Sequence, residues 1–130
     1  MIFIDSSAIV EILINGDRAN ELLDRLANSF GAVTGPTVIY ETAVVLTTGL
    51  RREPEETKLL LQRFIERFDI QIIPASSETA SVAIDTFARY GKGRHPAKLN
   101  FGDCFSYAGA KAAQVPLLYV GSDFAQTDLA

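Results

Sequence analysis

Four short apolar runs divide the chain, and each is followed by residues with helical spacing. The first, Ile2-Phe3-Ile4 closed by Asp5, is unbroken and β-favouring, which predicts a strand buried on both faces over residues 2–5. Ala32-Val33-Thr34, closed by Gly35-Pro36, predicts a second strand. Ile70-Gln71-Ile72-Ile73, stopped by Pro74, predicts a third, and Leu117 to Val120 a fourth. Between them the polar and apolar positions predict helices. One runs from Ala8 to Ile14, with Ser6 or Ser7 as its cap and Asn15-Gly16 as its end. Asp17 can cap the next, which aligns Leu22, Leu23 and Leu26 on one face. A third runs from Pro36 to about Gly49, with Val38, Tyr40, Val44, Val45 and Leu46 as its apolar positions. A fourth opens at Pro54 with Glu55 and Glu56 in its first turn, where the helix dipole favours acids, and turns Leu60, Leu61, Phe64, Ile65 and Phe68 inward. A fifth, capped by Ser76 or Ser77, ends near Gly91. The sixth, from Phe101 to Ala113, is rich in small residues that allow close packing.

Strands alternating with helices predict an α/β fold: a central parallel sheet covered on both faces, making a three-layer sandwich. Right-handed crossovers place the carboxyl ends of all strands on one edge, where such sheets bind ligands. Asp5 and Asp123 fall at that edge, and the helices that start there carry Glu41 and Asp103 near their first turns. Such a cluster repels itself unless a cation occupies it. The leading expectation is therefore a divalent-metal enzyme acting on phosphate esters. Each acid also has a plainer reading. Asp5 can cap a helix, Glu41 can sit on a solvated face, Asp103 can answer a helix dipole, and Asp123 can belong to a turn. Asp128 competes with Asp123 for the fourth place. His95 stands alone in the loop from Gly91 to Lys98, with no second histidine to build a ligand set. That loop carries three cations and no acid just ahead of Asp103, which suits contact with phosphates. Cys104 reads as a small core residue.

Composition narrows the field. A chain of 130 residues fits one domain over 1–130, and 48% hydrophobic content fills a core. A single cysteine excludes an internal disulfide. No apolar run is long enough for a membrane span or a signal peptide, so the default location is cytoplasmic. The net charge of −4 looks adverse to nucleic acid. Setting aside the four named acids, however, leaves 12 acids against 12 bases. Acids that hold metal do not repel phosphate as bare carboxylates would. A receiver domain is excluded because no acid ends the third strand and no lysine follows Lys111. A haloacid-dehalogenase-type phosphatase is excluded because position 7 is Ser7 where a second Asp is needed.

In order and spacing, Ile2-Phe3-Ile4-Asp5-Ser6-Ser7, Tyr40-Glu41-Thr42, Lys98-Leu99-Asn100-Phe101-Gly102-Asp103-Cys104, Asp123-Phe124 and Thr127-Asp128 resemble the PIN-domain family, and within it the toxin ribonucleases of the VapC type. The resemblance covers the length of the chain. It implies an endoribonuclease dependent on Mg²⁺, with Mn²⁺ as substitute, acting on RNA as the toxin of a toxin–antitoxin pair. It also implies a small cognate antitoxin that blocks the acidic site, and a homodimer. Asp5, Glu41 and Asp103 match the family's metal-binding acids. Asp123 matches the fourth, although many relatives place an acid two positions earlier, where this chain has Gly121, and Asp128 stays open as a substitute. Ser7 matches a hydroxyl often found near the metal. Leu46, Leu50 and the stretch Leu59 to Leu61 are the expected apolar surface for a two-fold contact. The rival from another class is a non-catalytic RNA- or protein-binding module that keeps the acidic pocket as scaffold.

Overall fold

The computed structural model describes residues 1–130. Strand β1 (Ile2–Ile4) lies between β2 (Ala32–Thr34) and β4 (Leu117–Leu118), and β3 (Ile70–Ile72) flanks β2. The order is β3-β2-β1-β4 and every pairing is parallel, so each connection is a helical crossover. Six helices fill these connections: α1 (Ser6–Leu13), α2 (Ala19–Ala27), α3 (Pro36–Leu50), α4 (Pro54–Arg67), α5 (Ser77–Tyr90) and α6 (Phe101–Ala113). A 3-10 turn, Phe124–Gln126, follows β4. The result is the expected three-layer α/β arrangement. No helix is long and apolar enough to cross a membrane.

Burial follows position in the sheet. All three residues of β1 and of β2 are buried, as both faces are covered. In β3, at the edge, only Ile70 is buried, while Gln71 and Ile72 are exposed. Helix α6 approaches β1 closely because position 109 is glycine. A Cβ there would stand 2.3 Å from the ring of Phe3, so the ring takes that space. Complete burial of such a side chain contributes ~2–3 kcal/mol. The buried hydroxyl of Thr34 donates to the carbonyl of Ile4 at 2.8 Å, binding the ends of β2 and β1 together beside Asp5.

Several local expectations change. Helix α1 starts at Ser6, and Asp5 itself is the cap, accepting from the Ser7 amide at 3.0 Å. Asp17 does not cap α2; Arg18 holds that place without a side-chain bond. Glu41 lies in the second turn of α3, since Pro36 opens that helix. The strands are shorter than the apolar runs because Asp5, Ile73, Tyr119 and Val120 extend past the paired segments. Leu46 and Leu61 are buried, so they offer no contact surface, whereas Leu50 and Leu59 are exposed. Amphipathic spacing identifies a buried face but cannot tell which apolar residues at its margin another helix covers. Cys104 is buried and unpaired, as a core residue.

Candidate metal centre

Asp5 is a carboxylate enclosed in the protein, with 2% of its surface exposed. Its burial is tolerated because both oxygens are satisfied. Oδ2 accepts from the amide and the hydroxyl of Ser7, at 3.0 and 2.6 Å. Oδ1 accepts from the hydroxyl of Ser106 on α6. The Ser7 hydroxyl accepts in turn from the Val120 amide at 3.0 Å, just past β4. One carboxylate thus caps α1 and ties together α6 and the strand that leads to Asp123.

Glu41 faces the same region. Its Oε1 accepts from the Ser6 hydroxyl at 2.6 Å, which links α3 to the start of α1. Its carboxylate also lies against Gly102 in the first turn of α6. A Cβ at Gly102 would stand 2.2 Å from Oε2, so glycine is what admits the acid. Asp103 is the next residue. Its Oδ2 accepts from the Asn100 amide at 3.1 Å, and Asn100 Oδ1 accepts from the Asp103 amide at 2.9 Å, a reciprocal capping box. Asp103 Oδ1 has no protein donor. Burial pushes the Asp103 carboxyl up to about 6, against the pull of the Asn100 N–H, and the negative charges of Asp5, Asp123 and Glu41 push it further. Asp123, exposed just before the 3-10 turn, makes no side-chain bond of its own.

Asp5, Glu41 and Asp123 therefore all act on Asp103, and none of the four pairs with Lys or Arg; the ion pairs are Arg18–Glu21, Arg52–Glu56 and Lys111–Asp128. As the side chains stand, no three of them approach closely enough to chelate one ion together. An all-oxygen set at such spacing suits a hard cation that binds a few carboxylates directly and keeps its waters. It does not suit a fully dehydrated, closed site.

Asp128 belongs elsewhere. Its Oδ1 accepts from the Tyr107 hydroxyl at 2.5 Å and its Oδ2 from Lys111 Nζ at 2.7 Å, with the Tyr90 hydroxyl 3.5 Å away. Those donors hold its carboxyl below the ordinary range, the Lys111 bond first and the Tyr107 bond second. Position 121 explains the departure two residues before Asp123. Gly121 has φ +104°, where an L side chain is strained, so an acid there requires a different local backbone. Ser6 and Ser106 are the site residues that sequence reasoning missed. Ser6 stood out as a helix cap and as part of the opening motif, without a role beside Glu41, and nothing singled out Ser106.

Residues 2–129 match the PIN domain family. The chain belongs to the PIN-domain family. Its PIN domain is 38% identical to a VapC ribonuclease of Rhizobium meliloti, over 99% of each chain. It is 41% identical to a ribonuclease VapC of Mycolicibacterium smegmatis, over 98% of this chain and 96% of that protein. Among solved structures, it is similar in fold to Mycobacterium tuberculosis VapC20, a sarcin–ricin loop cleaving toxin. The TM-score is 0.74 at 17% identity, covering 96% of this chain and 93% of that one. It also resembles a chain of a toxin–antitoxin complex from Klebsiella pneumoniae, with a TM-score of 0.70 at 19% identity, covering 99% of this chain and 94% of that one. PIN-domain ribonucleases of the VapC type depend on a divalent metal ion.

Proposed function

We propose that residues 1–130 form one nuclease domain, a Mg²⁺-dependent endoribonuclease that hydrolyses RNA phosphodiester bonds. In this reading it is the cytoplasmic toxin of a toxin–antitoxin pair, restrained by a small antitoxin that covers the acidic edge, and it works as a homodimer. One observation supports this above the rest. Acids from the end of β1, from α3 and from the segment after β4 all lie near enough to act on Asp103 of α6, and none is paired with a base. The relatives named as ribonucleases give the chemistry a direction.

Asp5, Glu41, Asp103 and Asp123 would hold the ion. When bound, Mg²⁺ neutralises charge on the phosphate and acidifies water. The chain's own parts are distinct. Asp5, fixed by its three donors, sets the position of the centre. Ser6 orients Glu41 by taking one oxygen and leaving the other free. Asp103 Oδ1 and the free oxygen of Glu41 are the two candidates to orient the attacking water.

Asp5→Asn tests the reading. Asparagine caps helices as well as aspartate does, so the fold survives while the charge is lost. The expected result is an unchanged circular dichroism spectrum and cleavage lowered ~100-fold or more, as several kcal/mol of transition-state stabilisation are lost. Sequencing RNA ends after induced expression would identify the target. Full activity in the folded variant would overturn the assignment. No cleavage and no Mn²⁺ heat with the wild type would favour a non-catalytic binding module.

A further inference from the structure

Between α5 and α6 the chain makes a compact turn around a hollow of about 460 Å³. It is lined by Lys92, Gly93, Arg94, His95, Pro96 and Lys98, with no apolar side chain other than the proline. The turn is held from within. Gly91 and Leu99 pair at its base, the Lys92 amide donates to the Leu99 carbonyl at 2.9 Å, and the Lys98 amide donates to the His95 carbonyl at 3.0 Å. Ala97 and Leu99 are fully buried beneath it. The His95 ring meets Tyr90 edge-on, with centroids 4.9 Å apart.

The cations around this hollow are unpaired. Neither Lys92, Arg94 nor Lys98 meets an acid, although the chain as a whole is acidic. Arg94 is held by its Nε, which donates to the Ala88 carbonyl at 3.1 Å, so its two terminal amino groups remain free. His95 Nδ1 accepts the Ala97 amide at 3.0 Å, which leaves the proton on Nε2 as an unused donor. Lys98 occupies φ +54°, where Gly or Asn would fit at less cost. Three exposed cations without an acid, beside the unused Nε2–H of an anchored His95 around one shallow hollow, suit an anion. Lys98 precedes Asp103 by five residues, which span at most about 18 Å of chain.

We propose that this turn is a second subsite that grips backbone phosphates of the RNA strand flanking the bond to be cut. It rests on the ribonuclease reading and deepens it. Lys92, Arg94, Lys98 and the Nε2–H of His95 bind phosphate oxygens without reading bases, and they position the strand across the acidic edge.

The test uses the cleavage-dead Asp5→Asn protein and a fluorescent single-stranded RNA of mixed sequence, about 20 nucleotides long, titrated between about 50 and 200 mM salt. Adding Lys92→Gln, Arg94→Gln and Lys98→Gln together should weaken binding at least tenfold at low salt. The slope of log affinity against log salt should become shallower by about 2, at ~0.7 per lost phosphate contact. The Lys92→Gln, Lys98→Gln pair spares the Arg94 anchor and should give about two-thirds of that change in slope. Mn²⁺ binding, measured in the same substitutions with Asp5 intact, should not move. Unchanged affinity and slope in both sets would overturn the subsite, even where the wild type binds Mn²⁺ and cuts RNA. A wild type that does neither would overturn the ribonuclease reading itself.

Discussion

Asp103 carries the electrostatic cost of the cluster. Its carboxyl ordinarily titrates near 3.8 and here is raised to about 6. Between those values the folded chain holds a proton that the unfolded chain has lost. Stability from this group is therefore present at low pH and is lost as pH rises through about 6. Asp103→Asn should make the metal-free protein ~1–2 kcal/mol more stable at pH 7.5, after allowance for the part of the side chain that water screens, with the gain shrinking toward pH 4. Thermal melts in EDTA across that range check it. Metal ligands must also be deprotonated, so Mn²⁺ affinity by calorimetry should fall as pH drops below about 6. At this scale the acids themselves were legible, because a charge at the end of a buried strand or inside an apolar helix needs a reason. Their partners were not. A serine looks alike in sequence whether it caps a helix or, like Ser106, donates to a carboxylate 101 positions away.

Helix α6 does two jobs with two glycines. Gly109 yields to the ring of Phe3, which is enclosed and cannot move, whereas Gly102 yields to the tip of Glu41, which can. The two should respond differently to alanine. Gly109→Ala overpacks the core and should cost ~1–3 kcal/mol in a denaturant melt. Gly102→Ala should leave stability unchanged or slightly raised, since alanine favours helix by roughly 0.5–1 kcal/mol. It should nevertheless weaken Mn²⁺ binding and cleavage by pushing Glu41 from its place beside Ser6. The helices and strands of the chain were readable to within a few residues, because their periodicities are distinct. The start of α2 was misread: Asp17 has the right chemistry for a cap, but the helix opens two residues later, at Ala19. On α3 the expectation that fails is Leu46 as an exposed two-fold surface: it is buried, while its apolar neighbours Val44 and Val45 are exposed.

Across the whole molecule, the sheet is parallel and covered by helices, and alternation of strands and helices was enough to foresee that. The choice between Asp123 and Asp128 was not foreseeable, because it depends on where Tyr90, Tyr107 and Lys111 come to lie. Those residues turn Asp128 into a fastening for the segment that bears Asp123, together with buried Phe124 and Thr127. Asp128→Ala should cost about 1–2 kcal/mol in a thermal melt through loss of its charge-assisted bonds. Because its carboxyl is held below the ordinary range, its contribution exists above the unfolded pKa and disappears as pH falls through the folded one.

The acids of the proposed centre lie on four separate stretches of chain, from position 5 to position 123. On this reading a ribosome has released no harmful fragment at any earlier point of synthesis, and a clipped or unravelled copy is disarmed at once. By the same reading the hazard arises only once the segment after the last strand is in place, and global unfolding removes it.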